Sequence, residues 1–287
     1  MLSDRLAAIA AHGFYRLFGL LPLDTASALG SGLGRLVGRF AGGASRQARR
    51  NLTRTLPDAP VAATLAEMWG HLGRCIAELP HLDGMTFTTE PSGRIEVVGG
   101  DILNALAADG GPALFMTGHI GNWEVLPIVA QRHGIDMHLV YRAANNEAVD
   151  RLIRRSRESR VAGQIPKGAG GARQILSVLS KGGVVGMLVD QKMNDGISAP
   201  FFGREAMTPP ALAQLALRFK ARVIPAVCER LNGAHFRVTV LPPMPLPDSG
   251  DRTADVLTLT TQCNALLEHW IRARPAQWLW PHRRWPD

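Results

Sequence analysis

The feature that most constrains the fold is an alternation of short β-rich runs with helical segments from about residue 94 onwards. The β-rich runs are IEVV at 95–98, ALFMT at 113–117, MHLVY at 137–141, VVGMLV at 184–189, RVIPAV at 222–227 and FRVTVL at 236–241. Helices are predicted between most of these runs and near the C-terminus, at 101–108, 122–133, 145–159, 171–181, 209–219 and 253–273. Apolar runs separated by helices are typical of a sheet covered on both faces. The sequence therefore predicts an α/β fold with a largely parallel central sheet flanked by helices.

The first 90 residues differ from this pattern, since they are predicted to be helical throughout. Residues 25–41 are rich in small residues, and residues 60–82 carry apolar side chains at helical spacing. We therefore expect two parts, a helical N-terminal region at 1–90 and an α/β domain at 91–287.

The N-terminal region also has features of a segment that lies on a membrane. Residues 6–23 are apolar but are interrupted by His12 and Arg16, and residues 1–54 carry eight arginines against two aspartates. Spanning a bilayer would place Arg16 in hydrocarbon at a cost of about 2.5–3.5 kcal/mol, which a helix lying in the interface avoids. We expect the N-terminal region to associate with an anionic membrane surface; a helix packed on the protein's own core is the alternative.

Composition excludes several other classes of protein. The chain has 287 residues, a formal net charge of +8 and three scattered cysteines, so a disulfide scaffold and a cysteine-based zinc finger are excluded. No run of 18 apolar residues exists, which excludes a polytopic membrane protein. Residues 142–173 carry eight basic side chains but no Phe, Tyr or Trp, so we expect no nucleic-acid partner.

One candidate for catalytic chemistry follows the run ALFMT, where the chain continues as GHIGNWEV at 118–125. His119 is thus expected where a strand ends, which is where parallel α/β sheets bind ligands. Glu124 follows in the first predicted helical turn and could orient the imidazole, leaving its other nitrogen free as a base. The spacing H-x4-E alone is weakly specific, and the position at a strand end adds most of the weight.

A second candidate is Asp190 with Gln191, directly after VVGMLV, which would face the same crevice if the two strands are neighbours. Further on, Thr208 followed by Pro209 predicts the start of a helix. The chain has no P-loop, no GxSxG nucleophile motif and no HExxH zinc motif.

Several ordered blocks of the sequence resemble a known family. These blocks are TGHIGNWEV, VYRAANNEAVDRLIRRSR, IPKGAGGARQILSVLSKGGVVGMLVDQ, PFFGREAMTPPALAQLALRFKARVIP and PAQWLWPHRRW. Together they resemble the late acyltransferases of lipid A biosynthesis, the lauroyl/myristoyl type. That group belongs to the wider glycerolipid and lysophospholipid acyltransferases with an HxxxxD/E motif.

The resemblance implies an acyltransferase at the cytoplasmic face of the cell inner membrane. Its donor would be an acyl carrier protein thioester, and its acceptor a hydroxyl group of an acylated, phosphorylated glucosamine disaccharide. It would need no metal and no cofactor, because the thioester is already activated. Related mannoside acyltransferases share the His/Glu pattern, so another glycolipid or a lysophospholipid stays open as the acceptor.

We therefore expect the following roles for individual residues, the first two as our own mechanistic hypothesis of direct transfer without a covalent intermediate and the others from matches to the family. His119, oriented by Glu124, would act as general base, and backbone amides at the start of the 122–133 helix, or Arg142, would stabilise the oxyanion. Within the family's YR…R stretch, Arg142 and Arg155 would bind acceptor phosphates. Asp190 and Gln191 match the family's DQ pair and would line the acceptor site.

Three other functions remain open at this point. A hydrolase would use the same His/Glu pair on water. A non-catalytic peripheral membrane-binding protein would use basic residues 1–54 and the tail WLWPHRRW for attachment, since Trp and Arg suit membrane interfaces. An RNA-binding protein would show a steep salt dependence.

Overall fold

The chain begins with a group of helices that precedes the sheet. The structure, a computed structural model, describes residues 2–90 and 93–285. The group consists of α1 (Leu2–Gly19), α2 (Leu23–Phe40), α3 (Gly42–Thr55), α4 (Val61–Glu78) and a 3-10 helix (Leu79–Gly84). The predicted helical character is therefore confirmed as far as Gly84, whereas residues 85–90 form a turn with a β-bridge from Phe87 to Ile95, and the domain boundary at 90/91 stays a prediction.

The rest of the chain alternates strands and helices. The strands are β1 (Ile95–Val98), β2 (Ala113–Thr117), β3 (Met137–Tyr141), β4 (Gly163–Pro166), β5 (Val184–Leu188), β6 (Ile197–Phe201), β7 (Arg204–Thr208), β8 (Arg222–Asn232) and β9 (His235–Val240). The helices are α5 (Gly100–Asp109), α6 (Leu126–Arg132), α7 (Glu147–Arg155), α8 (Ala169–Ser180), α9 (Ala211–Phe219) and α10 (Arg252–Ala273), with 3-10 helices at Trp123–Val125 and Pro275–Gln277.

Seven of these strands form the central sheet, in the order β1-β9-β8-β2-β5-β3-β4. All neighbouring pairs are parallel except β8 with β9, which are joined by a tight turn. Every residue of β2 is buried, as expected for a strand covered on both faces. The predicted α/β fold with a largely parallel sheet is confirmed.

Three strands have no counterpart in the predicted pattern. Strand β4 forms one edge of the sheet, and β6 and β7 form a separate antiparallel hairpin. Thr208 ends β7, and α9 begins only at Ala211, so the helix start predicted at Thr208 and Pro209 is wrong. The Thr208 hydroxyl accepts a hydrogen bond from Arg284 at 2.8 Å instead of capping the helix.

Small residues explain how α2 packs on α4. A Cβ atom at Gly34 would lie 2.1 Å from the Trp69 carbonyl oxygen, and one at Gly73 would lie 2.0 Å from the Gly30 carbonyl oxygen. The glycines of residues 25–41 therefore allow the two backbones to approach closely. Among the described residues, no helix is both long and apolar enough to cross a bilayer.

The aromatic tail belongs to the core. Trp278, Trp280 and Trp285 are buried, and Trp285 stacks on Phe201 with ring centroids 5.4 Å apart. The Trp285 indole also donates to the Phe201 carbonyl at 3.0 Å. Membrane attachment through these tryptophans, one support for the non-catalytic alternative, is therefore wrong.

Candidate active site

The register of two central strands brings the candidate residues together. Thr117 at the end of β2 pairs with Leu188 at the end of β5, so the positions two residues further along each strand are also neighbours. These positions are His119 and Asp190. Their proximity therefore follows from strand pairing between segments 71 residues apart.

Asp190 holds His119 through two hydrogen bonds. The Nδ1 atom of His119 lies 2.8 Å from Asp190 Oδ1, and the His119 backbone amide donates to Oδ2 at 2.8 Å. The Trp278 indole donates to the same Oδ2 at 2.9 Å. Each carboxylate oxygen of this fully buried Asp190 thus has a donor, which fixes the position of the imidazole.

The charge state of Asp190 determines the tautomer of His119. Burial alone would raise the pKa of Asp190, but the adjacent His119 and its hydrogen bonds outweigh burial and hold that pKa well below its usual value. An ionised carboxylate only accepts hydrogen bonds, so Nδ1 of His119 carries the proton. The Nε2 atom is then the acceptor nitrogen, and its neighbour is Gln191 Nε2 at 3.5 Å, which is too long for a strong hydrogen bond.

Glu124 has a different partner from the one predicted. Its carboxylate accepts from Arg157 Nε at 2.9 Å and also from Arg157 Nη2. The carboxylate on the His119 ring is thus Asp190 and not Glu124, which corrects the pairing predicted from the H-x4-E spacing. The position of each carboxylate has a physical reason. Glu124 lies in a 3-10 turn, from which its side chain reaches Arg157 just after α7. Asp190 lies next to His119 because β2 and β5 are paired in register.

The Glu124–Arg157 pair is ionised and mostly buried. Burial raises the pKa of Glu124, but the Arg157 guanidinium outweighs this effect and lowers it below its usual value. Asn122 holds the turn, because its side chain accepts from the Glu124 amide at 3.2 Å and donates to Glu78 at 2.8 Å. The Glu124 amide is therefore occupied. The Val125 amide also donates, to the Asn122 carbonyl at 3.0 Å, so neither amide is free to bind an oxyanion.

His119 and Glu124 both line one cavity of 470 Å³. Its floor consists of side chains from one face of the sheet, including Phe115, Met137 and Leu139. A Cβ atom at Gly186 would lie 2.7 Å from the Met137 sulfur, so this glycine allows the floor to pack. An apolar floor with a few polar groups at the strand ends is typical of a site that binds a largely apolar small molecule.

The remaining predicted residues differ in how close they lie to this cavity. Gln191 and Arg142 are among the lining residues, and the Arg142 guanidinium donates to the Asn145 side chain at 3.3 Å. Arg155 is exposed on α7 and is not among the residues that line the cavity. The structure therefore brings Arg142, but not Arg155, to the site.

The lining residues that the sequence did not single out include Arg157, Lys167 and His282. All three lie in the sequence blocks that carry the family resemblance, but no spacing rule distinguishes them from neighbouring basic residues. The His282 ring lies 5.4 Å from that of His119 between centroids, and burial lowers the pKa of His282 to about 4. His282 is therefore a neutral imidazole beside the catalytic candidate.

The same side chains include a set of metal-type ligands. One ligand atom from each of His119, Asp190 and His282 lies within 4.8 Å of the others. Both Asp190 oxygens, however, already accept hydrogen bonds from His119 and Trp278. A cation would have to displace these donors, so the group fits a hydrogen-bonded relay better than a metal site.

Comparison with known families assigns the chain. A family model described as bacterial lipid A biosynthesis acyltransferase matches residues 4–287. A search of curated proteins finds no match. The matched range covers the N-terminal helices, both strand ends that bring His119 and Asp190 together, and the C-terminal segment that packs against them. The resemblance carried by the sequence blocks is thereby confirmed, and the chain belongs to the bacterial lipid A biosynthesis acyltransferases.

Proposed function

We propose that this acyltransferase of lipid A biosynthesis moves a fatty acyl chain from an acyl carrier protein thioester to a hydroxyl group of a lipid A precursor. The observation that carries the proposal is an imidazole fixed by a buried carboxylate at the edge of an apolar cavity. The family supports acyl transfer in lipid A biosynthesis. The donor, the hydroxyl acceptor and the roles of individual residues are the proposed part.

The proposed reaction is direct transfer with His119 as general base. Its Nε2 takes the proton of the acceptor hydroxyl while the oxygen attacks the thioester carbonyl carbon. The tetrahedral intermediate collapses with cleavage of the C–S bond, and the imidazolium returns the proton to the departing thiolate of the carrier. Asp190 orients the ring and stabilises its charged form, as a carboxylate does in other imidazole-based relays. Such general-base help accelerates a reaction by roughly 10²–10⁴-fold.

Other groups in the cavity have supporting roles in this proposal. Arg142 and Lys167 line the cavity and are the cations available to stabilise the oxyanion. Glu124 acts as a positioning residue, because it holds Arg157 in the cavity wall. Gln191 stands beside Nε2 of His119, where the acceptor hydroxyl would have to bind. The reaction needs no metal and no cofactor, since the thioester supplies the activation.

The acyl chain is proposed to lie on the apolar floor of the cavity. Transfer of a methylene from water to such an environment contributes about 0.8 kcal/mol. The phosphorylated, polar part of the acceptor would remain outside this floor. Separation of apolar and polar substrate parts is consistent with the composition of the cavity, whose charged residues gather around the strand ends.

We also propose that α1 and α2 lie on the anionic cytoplasmic face of the inner membrane. Apolar side chains on both helices are exposed, namely Leu6, Ile9, Leu17, Leu29, Leu33, Leu36, Val37 and Phe40. Exposed apolar surface of this extent marks an interaction site. Nearby arginines of residues 1–54 would add roughly 1 kcal/mol each at an anionic surface. Basic surface would also attract the acidic carrier protein.

Transfer of a labelled acyl group from acyl carrier protein to a lipid A precursor tests the reaction. We expect the wild type and the control Arg173→Gln, an exposed residue of α8, to label the precursor equally. His119→Ala should lower the rate by at least about 10²-fold. Near-wild-type transfer by His119→Ala would overturn the mechanism. Free fatty acid without an acceptor would instead indicate a hydrolase, and vesicle binding without any transfer a non-catalytic protein.

A further inference from the structure

A second cavity, of 430 Å³, lies between the N-terminal helices and the turn that joins β8 to β9. Its wall includes one arginine from each of four elements: Arg35 of α2, Arg74 of α4, Arg230 of β8 and Arg274 after α10. Glu67 is the acidic side chain among these lining residues. This basic cavity is distinct from the acyl cavity and has no role in the mechanism given above.

Two of the four arginines are already neutralised. Arg230 forms a buried ion pair with Glu78 at 2.6 Å, and Arg274 approaches Glu229 at 3.3 Å. The charges of Arg230 and Arg274 are therefore balanced without an anionic ligand.

Neither of the other two arginines forms a direct ion pair in the part of the chain that the structure describes, although Glu78 lies near Arg74. The hydrogen bond of Arg74 goes to the neutral Ser27 hydroxyl at 2.7 Å, and Arg35 makes no hydrogen bond or ion pair within residues 2–90 and 93–285. Burial is the largest cause that lowers the pKa of Arg74, and Arg230 and Arg35 lower it further, which Glu78 and Cys75 only partly oppose. An anion in the cavity would relieve this repulsion.

Buried polar atoms without partners also face this region. The side chain of Arg230 is 2% exposed, and its Nε atom has no hydrogen-bond partner among the described residues. The Nδ1 atom of His71 is likewise buried and unpaired. Burial first, and the neighbouring arginines second, lower the pKa of His71 to about 4, so its ring is neutral and offers one N–H donor. The unpaired Nε–H of Arg230 is a buried donor that an anion in this cavity would satisfy.

The basic cavity also leads towards the catalytic candidate. His71 and Gln277 line both this cavity and a narrow cleft, and His119 lines the same cleft. The cleft measures about 10 Å³, the space of a single water molecule. His119 thus has the apolar cavity on one side, and this cleft separates it from the basic cavity on another.

We propose that the basic cavity binds a phosphate group of the lipid acceptor, which places the acceptor on a different side of His119 from the acyl chain. The proposal rests on the function proposed above. Arginine is suited to phosphate because its planar guanidinium donates two parallel hydrogen bonds. We favour a lipid as the molecule that carries this phosphate, because apolar side chains are exposed beside the cavity. Leu231 lines the cavity, Leu36 directly follows the lining residue Arg35, and both leucines are exposed. The cavity therefore borders the apolar surface that would meet the membrane.

Steady-state kinetics with Arg35→Gln and Arg74→Gln test this assignment. We expect KM for the phosphorylated acceptor to rise about 10- to 100-fold, with kcat and KM for the acyl carrier thioester unchanged. The wild-type protein should show the same rise in KM when the acceptor lacks its phosphate. With this dephosphorylated acceptor, the variants should have the same KM as the wild type. Arg173→Gln is the matched control, and thermal unfolding verifies that each variant is folded. Arg35 is exposed, so its replacement keeps the test valid if Arg74→Gln does not fold.

Two results would overturn the assignment. An unchanged KM for both substrates would show that the basic cavity binds neither. A rise confined to the acyl carrier thioester would place the phosphodiester of the donor there instead of the acceptor phosphate.

Direct binding separates this inference from the reaction itself. Titration calorimetry with glucosamine 1-phosphate should detect binding to wild type and to His119→Ala, and at least about 10-fold weaker binding to Arg35→Gln. Binding with this pattern but without acyl transfer to any acceptor would refute the proposed reaction and retain the phosphate site. Acyl transfer with no phosphate-dependent difference between wild type and Arg35→Gln would refute the phosphate site alone.

Discussion

Two buried carboxylates near the acyl cavity are held in different ways, Glu124 in its lining and Asp190 behind His119. Asp190, at the end of β5, accepts hydrogen bonds from an imidazole, a backbone amide and an indole. Glu124, in the turn before α6, accepts from the guanidinium of Arg157. An imidazole exchanges a proton near neutral pH, whereas a guanidinium stays charged. In the mechanism that we propose, proton transfer therefore belongs to the strand end, and the turn supplies a fixed ion pair.

The largest effect expected from this difference is on activity. Asp190→Asn should lower kcat/KM for acyl transfer by roughly 10²–10⁴-fold, because an amide neither fixes the His119 tautomer nor stabilises the imidazolium. Steady-state transfer assays over a range of pH measure this loss. Glu124→Gln, assayed in parallel, is the comparison. If Glu124→Gln lost as much activity as Asp190→Asn while remaining folded, the assignment of proton transfer to the strand end would be wrong.

The ion pair of Glu124 should matter more for stability than for proton transfer. Glu124→Gln leaves the charge of Arg157 partly buried without its partner, which costs about 3–5 kcal/mol in the free energy of unfolding. Urea denaturation measures this cost. The matched control is Glu147→Gln, whose exposed i,i+4 partner is Arg151 at 2.6 Å, and its expected effect is about 0.5 kcal/mol or less. Equal effects of the two substitutions would contradict the structural role of Glu124.

The outcome for these carboxylates shows how far the sequence predicts the site. His119 and Asp190 are both recognisable, because each follows a dense apolar run that forms a strand with nearly the predicted bounds. Their pairing is not recognisable, because it depends on β2 and β5 being neighbours, which is a property of the whole sheet. Glu124 is only five residues from His119 in the sequence, so local spacing favours Glu124 over Asp190 as the predicted partner of the imidazole.

The strands that the sequence misses have a related explanation. Strand β4 has the sequence GQIP, and the hairpin of β6 and β7 has ISAPF and REAMT. These segments contain Gly, Pro or charged residues and lack a run of β-branched side chains, so their local signal is weak. Contacts with the rest of the fold stabilise them: Asn264 of α10, for example, donates to the Pro200 carbonyl at 2.9 Å. Local patterns therefore predict the centre of the sheet better than its periphery.

A smaller effect should distinguish the two imidazoles in the cavity. His119 has a carboxylate partner. The Nε2 atom of His282, in contrast, is buried without a hydrogen-bond partner among the described residues. Burial lowers the pKa of His282 to about 4. An unfolded histidine has a pKa near 6.5, so between about pH 4 and pH 6.5 the unfolded chain binds more protons than the folded chain. The free energy of unfolding should therefore fall as pH is lowered through this window, by on the order of 1 kcal/mol per pH unit for His282.

Urea denaturation at pH 7, 6 and 5 measures this slope. Replacement of His282 by Gln should reduce it, and the same holds for His71, whose pKa is also lowered to about 4 by burial. His235, which is exposed on β9, is the control histidine, and His235→Gln should leave the slope unchanged. A slope that is the same in all three variants would contradict the neutral, buried state of His282 and His71.

The smallest expected effect concerns the two arginines that the family resemblance assigns to acceptor phosphates. Arg142 lines the acyl cavity near His119, whereas Arg155 is exposed on α7 away from its lining. Arg142→Gln should lower kcat by about 3- to 10-fold if its charge stabilises the oxyanion, since one exposed charged hydrogen bond contributes about 1 kcal/mol. Arg155→Gln should leave both kcat and KM within about 2-fold of wild type, because an exposed arginine outside the cavity loses little free energy on replacement. A rise in KM for the acceptor in Arg155→Gln would indicate that the acceptor phosphate binds at α7. It would therefore argue against phosphate binding in the basic cavity, because the same phosphate group cannot occupy both positions.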